Sequence, residues 1–160
     1  MEVICLNIKF LNFYTFENLW LNGFRSIPNE KGIYIVMVPE QFDVQFLENT
    51  TAITTHNGKN LLYPACDLRT KYNSSDRKIL YVGKAGGENN KLRQRIRQYV
   101  KYGYGEANNH RGGRAIWQIK NSEQLLIGYH ICEKPRDEES ILLAEYYSKY
   151  GTFPVANWKG

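Results

Sequence analysis

The stretch "KILYVGKAGG" at positions 78–87 is the first place in this sequence where the residue types suggest chemistry. Its apolar run breaks into glycines, with Tyr81 and Lys84 at the break. A second tyrosine, Tyr34, lies in the similar run "KGIYIVMV" at 31–38. Gly-rich turns after strands are common in α/β chains, so the stretch alone fits both a reactive site and an ordinary strand end. Other residues of the chain must decide between these two interpretations.

A carboxylate on the apolar side of a helix is the second unusual feature. In "RDEESILLAEYYSKYG" at 136–151, Glu145 follows Ile141 and Leu142 by four and three residues, which predicts that it points inward. Charged groups are rarely buried without a partner, so Glu145 needs a cation from a side chain or a metal ion. The alternative is that the helix is tilted and Glu145 lies at its rim.

The helix predicted for "NNKLRQRIRQYVKYG" at 89–103 carries basic residues in two kinds of position. Arg95 lies at the edge of the apolar stripe, three residues after Leu92 and one before Ile96. An outer row at i, i+4 and i+8 consists of Arg93, Arg97 and Lys101. This row fits contacts to the DNA backbone, or a solvated face, which is the usual fate of a charge run.

A phosphodiester site would accommodate all of these residues. A glutamate would hold a hard divalent cation, arginine and lysine would neutralise charge on the phosphate, and a tyrosine would orient or deprotonate water. A free tyrosine has a pKa of about 10, so it needs a nearby cation to act as a base. We therefore expect Lys84 to favour the phenolate form of Tyr34 or Tyr81.

The elements that position these residues follow from the periodicity of apolar residues. Strands are predicted at 1–10, 31–38, 78–83 and 125–132, and helices at 89–103 and 136–151. Between the second and third of these strands, 41–77 is interpreted as an insertion, and its turn at Asn57-Gly58 predicts a small hairpin. Asp137 is expected to cap the last helix and Gly151 to end it.

Composition excludes several classes of protein. The chain has 160 residues, of which 42% are hydrophobic, and no apolar run approaches the roughly 20 residues of a membrane span, so we expect one domain and no membrane partner. Lys and Arg exceed Asp and Glu by 21 to 16, and this net charge of +5 favours a polyanionic partner. Cys5, Cys66 and Cys132 lie far apart without metal-ligand spacing, which indicates buried thiols in a cytoplasmic protein.

The order of these motifs resembles that of the GIY-YIG nucleases. "GIY" stands at 32–34 and "YVG" at 81–83, with valine in place of isoleucine in the second signature. The segments "GKAG" and "LRQR" that follow are similar to the family's Gly-Lys and Leu-x-x-Arg, which selects Arg95. "AEYYSKYGTFPVAN" is similar to the family's closing pattern, with a helical Glu145 and, after Pro154, Asn157.

The resemblance implies a mixed α/β domain over 1–160, with a three-stranded antiparallel sheet flanked by helices. It also implies cleavage of DNA that depends on a divalent metal, Mg²⁺ or Mn²⁺. The site would be lined by Tyr34 as the base and by Tyr81, Lys84 and Arg95. Glu145 would bind the metal and Asn157 would brace the site.

The sequence departs from the family pattern in three respects. The two signatures are separated by the long segment 41–77, and Tyr99 stands where many members carry a histidine four residues after the helix arginine. The third departure is "NHRGGRAIWQI" at 109–119, in which His110 approaches the phosphate, substitutes for the missing histidine or lies in a surface loop. We expect this segment to contact DNA through His110, Arg111 and Arg114.

Other functions fit the same residues. One is a catalytically silent DNA-binding module on the same fold, and another is an RNA-binding or ribonucleolytic protein that stacks bases on "YVKYGYGEANNHRGGR". Metal-dependent cleavage separates the first from a nuclease, whereas salt-dependent binding does not. Among nucleases, restriction, mobile-element and repair enzymes all remain open. One active site cuts one DNA strand at a time, so double-strand cleavage would require a homodimer or two successive binding events.

Overall fold

The computed structural model describes residues 3–5, 7–56, 58–106 and 113–158. Its strands are β1 (Val3–Cys5), β2 (Ile8–Thr15), β3 (Gly32–Met37), β4 (Thr55–His56), β5 (Lys59–Asn60), β6 (Ile79–Ala85) and β7 (Leu126–Ile131). Five of them form the main sheet in the order β1-β2-β7-β3-β6, and each neighbouring pair is antiparallel. The predicted core strands therefore lie side by side as β7, β3 and β6.

Among the described residues, four α-helices pack around this sheet: α1 (Phe16–Asn22), α2 (Ala65–Asn73), α3 (Leu92–Gly103) and α4 (Pro135–Tyr150). Strand β3 is buried from Gly32 to Val36 because both faces of the sheet are covered. Its Tyr34 and Val36 join the core cluster of α1, α2 and α3, while Ile33 and Ile35 join the cluster of α4. The alternation of side chains along a strand thus separates the chain's two apolar cores.

The ends of α4 follow from local sequence. Pro135 occupies its first turn, where a missing backbone N–H costs nothing, and Gly151 ends it with a φ of 72°. The prediction that Asp137 caps the helix is wrong, because Lys134 occupies the cap position and Asp137 lies within the first turn. An acid there still interacts favourably with the helix dipole.

The predicted three-stranded sheet is too small, because β2 pairs with β7 and β1 extends the sheet beyond it. The hairpin predicted in the 41–77 insertion is present as β4 and β5. The insertion also contains α2, which was not predicted because only Ala65 and Leu68 of that helix are buried. None of the helices in the described ranges combines the length and apolar content needed to cross a membrane.

Candidate active site

Three strand termini meet at one end of the sheet and bring the two signature motifs together. Gly32, at the start of β3, is in register with Ala85 near the end of β6 and with Ile131 at the end of β7. Two residues further along β3, Tyr34 is the register partner of Gly83. The antiparallel pairing therefore places "GIY" directly beside "YVG".

Three tyrosines form a cluster beneath this end of the sheet. The ring centroid of Tyr34 lies 6.0 Å from that of Tyr81 and 6.1 Å from that of Tyr99, and the Tyr81 and Tyr99 centroids are 5.6 Å apart. Burial raises the pKa of all three hydroxyls above the usual tyrosine value. The cluster is therefore made of neutral phenols at physiological pH.

The hydroxyl of Tyr34 is the unusual member of the cluster. It is fully buried and makes no hydrogen bond of normal geometry with any residue of the described ranges, although Tyr81 and Arg95 are close enough to lower its pKa. Its polar neighbours are Tyr81 and Arg95, and the Arg95 guanidinium partly opposes the effect of burial on the pKa of Tyr34. A buried hydroxyl without a partner costs about 1–3 kcal/mol, so its presence suggests a role other than stability.

The carboxylate beside this cluster belongs to Glu139. Its Oε1 lies 3.5 Å from Lys84 Nζ, and the Glu139 side chain is only 15% exposed. Burial raises the pKa of Glu139, and the Lys84 ammonium opposes that effect. The Glu139 charge also raises the pKa of both Tyr34 and Tyr81, which shows that the carboxylate is close to the tyrosine cluster.

The prediction that Glu145 points inward is wrong. Glu145 is exposed, and the inner face of α4 consists of Leu142, Leu143 and Tyr146. The error came from Ile141, which the sequence analysis placed on the inner stripe but which is 58% exposed. Moving the inner face onto Leu142 and Leu143 leaves Glu145 outside it.

Lys84 does not act as expected on the tyrosines. It pairs with Glu139, and the cation that lowers the pKa of Tyr34 and of Tyr81 is Arg95. Burial outweighs that cation in both cases, so neither tyrosine is a phenolate at rest. Tyr34 or Tyr81 could accept a proton as a base only if a bound substrate first lowered its pKa.

A cleft of about 540 Å³ opens beside the cluster, and cations dominate its walls. Two acids, Glu133 and Asp137, also line it. The cations come from the ends of the three strands and from the helices that follow: Lys31, Lys84, Arg95, Lys134 and Arg136. Its neutral part includes Gly86, Gly87 and Asn90. This excess of positive charge suits an anionic ligand such as a phosphate group.

Sequence reasoning missed Lys31, Lys134 and Arg136. Each follows or precedes a predicted strand, and in an antiparallel sheet the start of one strand adjoins the ends of its neighbours. Gly32 is in register with Ala85 and with Ile131, and this pairing places all three cations at the same end of the sheet. These cations could be found only from the strand order, since neither signature motif contains them.

Asn157 contacts the strand and not the cleft. Its Oδ1 accepts a hydrogen bond from the Val82 N–H at 2.9 Å, and its Nδ2 donates to the Val82 carbonyl at 2.9 Å. Val82 lies between Tyr81 and Gly83 of the second signature. The contact is compatible with the bracing role that the resemblance implies, which stays a prediction.

The outer row of α3 is not a continuous binding face. Arg93 donates from Nε to the Ile27 carbonyl at 2.8 Å and from Nη2 to the Arg25 carbonyl at 3.4 Å, so it tethers the loop before β3. Lys101 Nζ lies 3.8 Å from Glu106 Oε2, and its side chain is 25% exposed. Arg97 is exposed, whereas Arg93 and Lys101 are partly buried. The prediction that Arg93 contacts DNA stays a prediction, and its guanidinium already makes two contacts to backbone carbonyls.

The remaining expected DNA contacts lie elsewhere. Arg114 is half-buried, and its guanidinium lies next to the Tyr102 hydroxyl, whose pKa it lowers against the larger effect of burial. His110 and Arg111 fall outside the described residues. Of the predicted site residues, the structure brings together Tyr34, Tyr81, Lys84 and Arg95 at this end of the sheet. Glu139, which was not predicted, joins them.

No protein-family model, curated protein or solved structure matches this chain. The likeness to the GIY-YIG nucleases accordingly rests on the sequence motifs alone.

Proposed function

We propose that this chain is a divalent-metal-dependent nuclease of the GIY-YIG type, which hydrolyses DNA phosphodiester bonds. One observation carries the proposal: the unpartnered Tyr34 hydroxyl lies among Tyr81, Arg95 and Glu139, next to a cleft lined by cations. This grouping joins residues that are up to 105 positions apart and that have no packing reason to meet as polar groups. Structural tyrosine clusters usually satisfy their hydroxyls.

The donor set fits one hard divalent cation held by Glu139. Mg²⁺ commonly takes one or two carboxylates and completes its shell with water and phosphate oxygens. Glu139 is the nearby carboxylate that influences both Tyr34 and Tyr81. When bound there, Mg²⁺ or Mn²⁺ would stabilise negative charge on the phosphate and on the leaving oxygen.

The protein's own residues would supply positioning and charge. Arg95 and Lys84 line the cleft and would neutralise the phosphate in the transition state. Tyr34 and Tyr81 are neutral phenols, each able to accept a hydrogen bond from water and to donate one to a phosphate oxygen. We propose that Tyr34 orients the attacking water, since its buried hydroxyl lies beside Tyr81 and Arg95 and makes no hydrogen bond of normal geometry.

A silent DNA-binding module is the second candidate. The observation that favours it is the ion pair between Lys84 and Glu139, which already neutralises the carboxylate. Such a module would use the cationic cleft to bind DNA and would need no metal.

The experiment that separates them incubates purified protein with supercoiled plasmid, branched DNA and single-stranded DNA in Mg²⁺, with and without EDTA. A nuclease should nick or cleave at least one substrate, and EDTA should abolish the reaction. Full activity in EDTA would contradict the metal mechanism. Binding without cleavage on every substrate would favour the silent module. The same assay with RNA tests the ribonucleolytic alternative.

A further inference from the structure

A second group of potential metal ligands includes the two residues that flank the cleft-lining segment 133–137. His130 near the end of β7, Cys132 just after it and Glu138 in the first turn of α4 each offer one ligand atom. These three atoms lie within 4.8 Å of one another. His130 and Cys132 are two positions apart in an extended segment, which places both side chains on the same face. Sequence spacing did not reveal this group because Glu138 joins it only through the fold.

The imidazole of His130 is held in the orientation that a metal ligand needs. Its Nδ1 lies 3.1 Å from the Lys9 carbonyl oxygen on β2. A carbonyl oxygen only accepts hydrogen bonds, so Nδ1 carries the hydrogen and donates it. In the neutral ring the lone pair is then on Nε2, which faces Glu138. Histidines that bind metals commonly donate their other ring N–H to a backbone carbonyl in this way.

The other two ligand atoms lie close to this ring. Glu138 Oε2 is buried and makes no hydrogen bond with the described residues, and it lies 3.9 Å from His130 Nε2. Cys132 is a free cysteine, and its sulfur lies within 4.8 Å of the ligand atoms of His130 and Glu138.

We propose that His130, Cys132 and Glu138 form a binding site for a divalent transition metal of the zinc type. Nitrogen, sulfur and oxygen donors together suit Zn²⁺, whereas Mg²⁺ and Ca²⁺ prefer oxygen donors alone. In a tetrahedral zinc site, bond lengths of about 2.0–2.3 Å put the ligand atoms about 3.3–3.8 Å apart. Atoms that already lie within 4.8 Å reach that spacing by small side-chain rotations. The fourth position would be filled by water.

An ion pair between a protonated His130 and Glu138 is the competing explanation. It would account for the 3.9 Å contact between Nε2 and Oε2. The ion pair gives no role to Cys132, whose sulfur lies within 4.8 Å of the ligand atoms of His130 and Glu138. A metal better explains why three different donor types meet here and why the Lys9 carbonyl holds the His130 ring by its Nδ1.

A metal at this site would act on the cleft wall. The segment 133–137 joins Cys132 to Glu138, and its residues line the cleft from Glu133 to Asp137. The metal would fasten both ends of this segment and fix the first turn of α4, where Glu139 follows directly. This site is separate from the Mg²⁺ site of the proposed function and does not depend on it.

The experiment titrates the EDTA-treated and dialysed protein with Co²⁺ and follows the charge-transfer absorption of a cobalt–thiolate bond. We expect one Co²⁺ per chain with a thiolate band, its displacement by Zn²⁺, and a higher Tm with either metal. Cys132→Ser should remove the band. His130→Gln and Glu138→Gln should weaken binding at least about tenfold, because each removes one of the ligands. The matched controls are Cys66→Ser, which changes an exposed free cysteine, and Glu133→Gln, an exposed neighbour. Neither control should alter binding.

Three results would overturn the proposal. One is the lack of a thiolate band in the wild-type protein, which requires no variant to fold. Another is a band that survives Cys132→Ser, since the metal would then bind another thiol. The third is unchanged Co²⁺ affinity in both His130→Gln and Glu138→Gln, which would reduce the site to a single cysteine.

Discussion

The ring of Tyr34 lies directly against the backbone of Gly83, so closely that a Cβ atom at position 83 would be 2.4 Å from Tyr34 Cζ. The two residues are also register partners on adjacent strands. The second signature therefore ends in glycine because the tyrosine of the first signature occupies the space that a side chain would need. The two motifs form one packing unit, and the position of the Tyr34 hydroxyl depends on it.

Gly83→Ala should displace the Tyr34 ring and destabilise the fold by about 1–3 kcal/mol, the usual cost of overpacking. Denaturant unfolding measures this cost. Gly86→Ala is the matched control, because its Cβ would make only an ordinary contact of 3.4 Å with Pro135. The control should stay within about 0.5 kcal/mol of the wild type. If Gly83→Ala costs no more in the wild-type background than in a Tyr34→Leu background, the packing account is wrong.

Tyr34→Phe removes a buried hydroxyl that has no hydrogen-bond partner in the described residues, so stability should be unchanged or rise by up to about 1 kcal/mol. Cleavage should nevertheless fall, since the proposed site loses the group that orients water. Tyr146→Phe is the contrasting variant. The Tyr146 hydroxyl donates to Asp76 Oδ1 at 2.7 Å, and its loss should cost about 1.5–3 kcal/mol while the folded variant keeps its activity. A clear loss of stability in Tyr34→Phe would indicate a structural hydroxyl.

The cations of the cleft that lie outside the tyrosine cluster should bind the DNA backbone. Replacing Lys31, Lys134 and Arg136 together by glutamine should weaken DNA binding and flatten the logarithmic salt slope by up to about 2.7, at roughly 0.9 per lost contact. The control replaces three exposed lysines away from the cleft, Lys78, Lys120 and Lys149. Equal effects of the two triple variants would mean that net charge, and not the cleft, determines affinity.

Lys71 should make stability depend on pH. This half-buried lysine donates a hydrogen bond to the Asn157 carbonyl and lies over the Trp158 ring, and burial lowers its pKa to about 8. The unfolded chain keeps this proton up to about pH 10.5, so between these values the unfolded state binds more protons than the folded state. The stability contributed by Lys71 should therefore rise as the pH increases above about 8.

Unfolding free energies of the wild type and Lys71→Met, compared between about pH 7 and 9.5, check this expectation. The wild type should gain stability relative to the variant over that interval. Lys78→Met, at an exposed lysine, is the control and should show a constant difference from the wild type. A constant difference for Lys71→Met as well would contradict the lowered pKa.

Much of the core architecture could be predicted because it follows from local patterns. The strands around Tyr34 and Tyr81 have β-branched and aromatic runs, and α3 has an apolar stripe at helical spacing. Strand β2 could not be predicted as part of the sheet, because its partner β7 is more than 100 residues away. Long-range strand pairing of this kind cannot be recognised from a short window of sequence.

The carboxylate of the site was misassigned for a related reason. Four consecutive residues of α4, from Ser140 to Leu143, are small or apolar, so the sequence does not determine which helical face is buried. The sheet determines it, since Ile33 and Ile35 contact the Leu142 and Leu143 side of the helix. That rotation brings Glu139 toward Lys84 and leaves Glu145 in solvent.

The most direct test of the proposed nuclease compares Glu139→Gln with Glu145→Gln in Mg²⁺-dependent cleavage of DNA, with Tm and DNA binding measured on the same samples. Both variants should stay folded and bind DNA. Cleavage should fall by about 10² or more in Glu139→Gln, because the charge that holds the metal is lost, and should be unchanged in Glu145→Gln. Normal cleavage by a folded Glu139→Gln, or a loss of cleavage confined to Glu145→Gln, would contradict the site described for this protein.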